Sequence, residues 1–300
     1  MRSLLDLLSG DPRVQQQAVR GDAALTEEQF RRLEEGAVPI FAESSLRVGG
    51  AVPYKILNDP GAVTSRKIKL TDLSDPDVDV DGTGGSWDHM GQSFADQTVF
   101  RIHKNWTIPR LELETMRRSG TYDPLTALGQ RVGERMAEFE NKFIAGTLGF
   151  GTKGISSFAS IQTFAAGASW TTAGQAWKDL TKAVDDKLRT QKVAVNNAAL
   201  MLPPTEYVKL KNVFANTASF QMKDLLDLLP GGIYPTVEAP SGGKAYVYAN
   251  TPTVLELEIF EDLSTIPLPM LDEDPRGRMR LSEAFHIFKP EGVVEITGTT

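Results

Sequence analysis

From Asp123-Pro124 onward, apolar side chains recur at steps of three and four: Leu125, Leu128, Val132, Met136, Phe139 and Phe143. That spacing predicts one continuous α-helix with a single buried stripe, and about twenty residues at 1.5 Å each make a rod roughly 35–40 Å long. Asp123 reads as an N-cap, with proline at the first helical position. The glycine-rich run GTLGFGTKGISSF predicts the exit, as a flexible link from the helix to the next domain. A rod of this length constrains everything around it, because the chain must supply an equally long surface to cover its stripe. It suits a structural subunit better than a compact catalytic domain.

The segment before the helix sharpens the pattern. Residues 97–108 (QTVFRIHKNWTI) alternate as a strand, with Phe100, Ile102, Trp106 and Ile108 on one face and Arg101, His103 and Asn105 on the other. Pro109 ends it and opens a short helix, RLELETMRRS, stopped by Gly120. Upstream, Thr26 and Gln29 read as a capping box for a helix that Gly36 and Pro39 end. Extended segments come next: VPYKIL, the turn Asn58-Asp59-Pro60-Gly61, then AVTSRKIKL. Residues 71–96 are polar, carry seven aspartates and hold too few large apolar side chains for a core. An excursion of that kind inside a compact domain is commonly functional or held by a partner.

Downstream the pattern is mixed α/β. Thr172 and Gln175 read as a capping box ahead of Trp177, Leu180, Val184 and Leu188, and VAVNNAALML as a buried strand. Pro203-Pro204 starts a helix, and another carries Phe220, Met222, Leu225, Leu226, Leu228 and Leu229 up to Pro230-Gly231-Gly232. KAYVYA, PTVLELEIFE and RMRLSEAFHIFKPEGVVEIT read as strands, with a turn at Pro290-Glu291-Gly292.

Composition bounds the chemistry. Zero cysteines exclude disulfides, zinc-thiolate sites and thiol nucleophiles. No apolar run approaches a membrane span, and MRSLLDLLSGDP, broken by Asp6, is a poor signal peptide. A net charge of −7 argues against tight nucleic-acid binding over the general surface. Asp77, Asp79 and Asp81, then Gly82, with Asp88 at the twelfth position, nominally fit a calcium loop, but no amphipathic helices flank them. The same spacing puts three carboxylates on one face of a solvated or Lys/Arg-paired strand. Gly149, Gly151 and Gly154 match a dinucleotide glycine pattern but come after a helix rather than a strand, which removes the phosphate cradle. Gly242-Gly243-Lys244 reads as a turn. His89, His103 and His286 have no metal-ligand spacing, and no GxSxG elbow occurs. No catalytic residue, cofactor site or firm metal site is expected. Glu138 and Lys142 form an i, i+4 pair worth a few tenths of a kcal/mol.

The succession of strand, IPRLELE, short helix, YDPL and a long charged helix, then FIAG and GTKGISS, resembles the middle of the major capsid proteins of tailed bacteriophages. It is also similar to the encapsulin shell proteins that share their fold, named after phage Hong Kong 97. The detailed match covers about sixty residues, while the order of elements fits nearly the whole chain. The resemblance implies an α+β capsid fold in five parts: an N-terminal arm and helix (1–45), an extended hairpin or E-loop region (46–97), a peripheral domain with the long helix as its spine (98–150), an axial α/β domain (151–275) and returning C-terminal strands (276–300). It implies a non-enzymatic shell subunit, copies of which form hexamers and pentamers. For a phage, the expected partners are a portal, packaged double-stranded DNA bound without sequence specificity, and a separate scaffolding protein or none. The subunit would then be assembled in the host cytoplasm and end in the virion, with no membrane. An encapsulin would enclose a cargo enzyme instead. The 25 residues before the first helix and the long acidic excursion depart from the commonest encapsulin pattern and favour the phage. A soluble calcium-binding protein, through Asp77–Asp88, is the third possibility. In the shell reading, Leu128, Val132, Met136 and Phe139 anchor the peripheral domain, while Arg66, Lys67 and Lys69 with Asp75, Asp77, Asp79 and Asp81 supply charged contacts between subunits.

Overall fold

A computed structural model describes residues 25, 27–70, 92–119, 123–149, 151–158, 160–211, 221–271 and 274–300. Thr26, Asp75, Asp77, Asp79, Asp81, Asp88 and His89 lie outside the described residues, as does the Lys69 side chain. Two compact units divide the chain: 1–45, 102–138 and 263–281 in the first, 46–101, 139–262 and 282–300 in the second. The chain therefore passes from one to the other five times, after residues 45, 101, 138, 262 and 281.

The first unit is built on two helices. Helix α1 (Glu27–Ser44) buries Leu33, Ala37 and Phe41, a stripe at steps of four. It runs through Gly36 and Pro39 rather than ending there, which corrects the expectation from sequence. Pro39 sits on the exposed side and costs about 3 kcal/mol in a helix interior. Burying Leu33 and Phe41 offsets that, at roughly 1.5–3 kcal/mol each. Gly36 persists for a packing reason: a Cβ there would fall 2.7 Å from the Thr126 carbonyl oxygen. Gly129 and Gly133 answer from the other helix, where added Cβ atoms would meet the Leu33 and Ala37 carbonyl oxygens at 2.2 and 2.5 Å. The two backbones thus touch through a row of missing side chains.

That other helix is α3 (Pro124–Ala145), preceded by α2 (Arg110–Ser119). Asp123 caps it as the sequence predicts, its Oδ1 accepting the Leu125 and Thr126 amides at 3.0 and 3.3 Å. Leu125, Val132 and Met136 are buried and Leu128 is half-buried, but Phe139 is 43% exposed. The stripe drifts because 3.6 residues per turn do not divide into alternating threes and fours. By this point the inward position belongs to Ala137 and Glu140. The Lys142 ammonium covers the Phe139 ring at 5.2 Å. Glu138 pairs with Arg135, and Lys142 reaches Glu238 at 3.7 Å.

Strand β4 (Phe100–Thr107) buries Ile102 and Trp106 and exposes Arg101, His103, Lys104 and Asn105, as the alternation predicts. It is separate from the preceding strand, the break falling at Val99, whose amide bonds Val63 O at 2.9 Å. Trp106 lies over Gly277, where a Cβ would sit 2.2 Å from the indole. β4 is one edge of a four-stranded sheet ordered β1 (Tyr54–Ile56), β9 (Leu255–Leu271), β10 (Asp274–Ile287), β4.

The second unit holds a five-stranded sheet ordered β5 (Gln162–Ala165), β11 (Val293–Thr297), β8 (Lys244–Ala249), β6 (Ala198–Leu202), β7 (Gly232–Pro235). Leu200, Leu202, Val247, Val294 and Ile296 pack against Trp170, Leu180, Val184 and Leu188. The run expected as a strand from Val193 narrows to five residues, all buried. Helix α4 (Gln175–Lys182) starts two residues later than the expected capping box implies: Gly174 at φ 78° takes the N-cap place of Thr172, no described side chain caps it, and Gln175 bonds Asp179 instead. The helix continues as π-wound turns over Ala183–Arg189, and widening the turn keeps Leu180, Val184 and Leu188 on one face at steps of four. Helices α5 (Pro204–Lys209) and α6 (Gln221–Leu228) come next, as expected.

The described part of the glycine-rich exit, expected as a flexible link, is hydrogen-bonded back onto α3. Thr147 N bonds Lys142 O at 2.9 Å and Gly146 N bonds Phe143 O at 3.1 Å, a Schellman closure with Gly146 at φ 83°. The loop then folds back, so that the Ile155 and Ser156 amides satisfy the Ile144 and Ala145 carbonyls. Gly154 is required there, since a Cβ would fall 2.3 Å from Phe143 O.

Candidate assembly surface

Strands β2 (Thr64–Leu70) and β3 (Gln92–Thr98) pair antiparallel, Thr64 opposite Thr98 through Leu70 opposite Gln92, as a sheet of their own. A two-stranded ribbon is marginal by itself in water, so its root must be fastened. Alternation along β2 provides the means: Ser65 and Lys67 point one way, Arg66 the other.

Ser65 is buried and its Oγ meets both Glu258 and His286, with Nε2 of His286 at 2.6 Å. His286 is buried as well, and its Nδ1 has no hydrogen-bond partner among the described residues. These contacts fix the tautomer. A carboxylate only accepts, so the serine proton goes to Glu258, and Nε2 carries a hydrogen that His286 shares between Ser65 and Glu258, whose Oε2 is 3.4 Å away. Lys67 Nζ completes the cluster, 2.8 Å from Glu256 Oε2 and in contact with Glu258. Burial by itself would raise the Glu258 carboxyl; hydrogen bonds from His286, Lys67 and Ser65 outweigh it and hold it at about 2. Serine beside histidine suggests a nucleophile, but a triad needs a carboxylate on Nδ1 to orient the imidazole. Here the glutamate shares the Nε2 side. The cluster is an anchor for the ribbon.

On the outer face, Arg66 holds Asp96 through two bonds of 2.8 and 2.9 Å across the ribbon. Arg66 and Lys67, two of the three basic residues expected to contact other copies, thus also pair within their own chain. The intrachain pairing has a simple cause: facing strands bring opposite charges within reach at no cost in association entropy. Sequence reasoning missed Ser65, Glu256, Glu258 and His286 because they are far apart in the chain. The signal available was the alternation of Glu256 and Glu258 on a strand opposite the basic run of β2.

Strand β1 offers a second surface. It pairs with β9 on one side, Pro53 O accepting from Leu257 N and Leu57 N donating to Ile259 O. Residues 54 and 56 therefore turn their backbone groups to the open side, and Tyr54, Ile56 and Leu57 expose their side chains. An open apolar edge of this kind is a template for pairing with another chain. Val63, at 69% exposed, lies a few residues further on. Elsewhere, an open groove of about 400 Å³ beside α4 presents Lys178, Lys182, Asp185 and Asp186, with alternating charge and no convergent nucleophile. Among the described residues, no three His, Asp or Glu side chains gather as metal ligands, and no helix is long and apolar enough to cross a membrane.

A long helix, a four-stranded sheet edged by β1, a ribbon and a five-stranded α/β unit together make the fold of capsid shells. The virus-like particle from Pyrococcus furiosus shares it, with a TM-score of 0.69 and 19% identity over 90% of this chain and 100% of that one. So does the capsid of Myoviridae phage XM1, at TM-score 0.64 and 13% identity, over 84% and 91%. The capsid of the native GTA particle does too, at TM-score 0.62 and 13% identity, over 86% and 90%. Residues 17–266 match the model of the Linocin_M18 family, encapsulating protein for peroxidase, and the chain belongs to that family. It is also similar to the ferritin-like-encapsulin shell fusion protein of Pyrococcus furiosus, 23% identical over 175 residues. That match takes in 58% of this chain and 47% of the relative, so the chain spans about half the length of the fusion protein.

Proposed function

We propose that this chain is a self-assembling subunit of an icosahedral shell, of the encapsulin kind, which encloses a protein cargo. The β2–β3 ribbon carries the reading: a two-stranded sheet of its own is marginal in water, and cover from a neighbouring copy would stabilise it. Membership of a family described as encapsulating a peroxidase, and likeness to a ferritin-like fusion, support cargo over genome. On this reading residues 46–97 are the E-loop region, α3 is the spine of a peripheral domain, and 151–275 form the axial domain. Asp75, Asp77, Asp79 and Asp81 supply charged contacts to other copies.

A tailed-phage capsid, filled with double-stranded DNA and served by a portal and a separate scaffold, is the second reading. The match to the phage XM1 capsid favours it. Sedimentation and electron microscopy of the purified chain test the shell itself: closed particles of megadalton mass are expected, and a 32.8 kDa monomer at all concentrations would refute both readings. The contents of particles from the native cell then separate the two. Co-sedimenting protein of defined stoichiometry supports the compartment, and nuclease-protected double-stranded DNA supports the capsid.

A further inference from the structure

Away from the ribbon, three carboxyl groups of the second unit meet around one guanidinium. Arg47 Nε lies 2.9 Å from Glu140 Oε1, a charge pairing rather than an aligned hydrogen bond, and Arg47 Nη2 lies 3.0 Å from Asp262 Oδ1. Arg47 and Glu140 are 4% and 0% exposed, Asp262 is half exposed, and the Tyr54 ring sits 5.5 Å from the guanidinium carbon. Glu283, also 0% exposed, stands beside Glu140.

Taken as a carboxylate, Glu283 has two buried oxygens with no donor among the described residues and a second carboxylate for a neighbour. Neither is tolerable in a dry site. One proton on Glu283 removes both faults, because it makes the group a donor toward Glu140 and leaves that glutamate to Arg47. Burial first, then the charge of Glu140 and the hydrogen bond to it, hold the Glu283 carboxyl well above the usual range, with Arg47 opposing and Asp262 adding to the rise.

Position gives the cluster its meaning. Arg47, Glu140, Asp262 and Glu283 each stand within two residues of a different passage of the chain between the units, after 45, 138, 262 and 281 respectively. We propose that the cluster is a proton-gated pin: neutral Glu283 ties these four segments of the second unit together, and loss of its proton releases them. Deprotonation of Glu283 is then a loosening signal for the subunit.

Hydrogen–deuterium exchange on the purified full chain, corrected for intrinsic pH dependence, reads this between about pH 6 and about pH 9. Peptides spanning 46–52, 139–145, 258–262 and 282–287 should lose protection by about tenfold as the pH rises. Peptides spanning 198–202 and 245–249 should keep theirs. In Glu283→Gln, which keeps a donor and has no proton to lose, the response should vanish. A Glu283→Gln protein with the wild-type response overturns the proposal, as does a wild type in which the four segments respond no more than the control strands. Where Glu283→Gln fails to fold, infrared spectra of the wild type decide. A protonated-carboxyl band at neutral pH that fades in alkali is expected, and its absence at neutral pH overturns the pin.

Discussion

Lys67 is the residue on which the ribbon root depends, since it stands between Glu256 and Glu258 with its stem largely covered. Lys67→Met should destabilise the subunit by about 2–4 kcal/mol in denaturant titration, because two partly or wholly buried carboxylates lose their counter-charge. Adding Glu258→Gln should recover part of that loss, which a double-mutant cycle would measure. Glu258 also sets the acid limb. Its carboxyl is held at about 2 against an ordinary 4.5, so between those values the unfolded chain binds the extra proton. Its stabilising contribution is complete above about pH 4.5 and is lost as the pH falls toward 2. Melting temperature should drop through that window in the wild type and less steeply in Glu258→Gln. An equal slope in both would remove Glu258 from the account.

At the scale of elements, the α1–α3 contact is set by absence of side chains. Gly129→Ala should cost about 1–3 kcal/mol, since the new methyl has only the Leu33 backbone to push against. Gly149→Ala makes the control: its φ of 81° is strained for alanine but the space is empty, so about 1 kcal/mol is expected. Phe139→Asp should fold normally by circular dichroism, because the ring is already near solvent; an unfolded variant would restore it to the core. The elements most legible in the sequence were those fixed by local rules, such as the Asp123 cap, the alternation of β4 and the helix after Pro203-Pro204. The errors fall where tertiary packing overrode them. Gly36 and Pro39 look like a stop, yet the glycine is a contact and the proline faces water. The Thr172–Gln175 box lost to a bond between Gln175 and Asp179. The Ser65–Glu258–His286 cluster was invisible because three strands distant in sequence assemble it.

For the whole molecule, the proposed function makes the ribbon the element that separates folding from association. Replacing residues 71–91 with a short Gly-Ser turn keeps Ser65 and Lys67 in their anchor, so the subunit should retain its circular dichroism. On the proposed function it should sediment as monomers or small oligomers, and closed particles from that variant would remove the ribbon from assembly. The order of the five-stranded sheet has a further consequence, in the timing of synthesis. β11 (Val293–Thr297) is an interior strand, parallel to β5 on one side and antiparallel to β8 on the other. Until the ribosome has delivered residue 297, β5 has no neighbour in its sheet and β8 keeps an open edge. A nascent chain thus cannot close this sheet before residue 297 is made, and the second unit completes its fold late in synthesis.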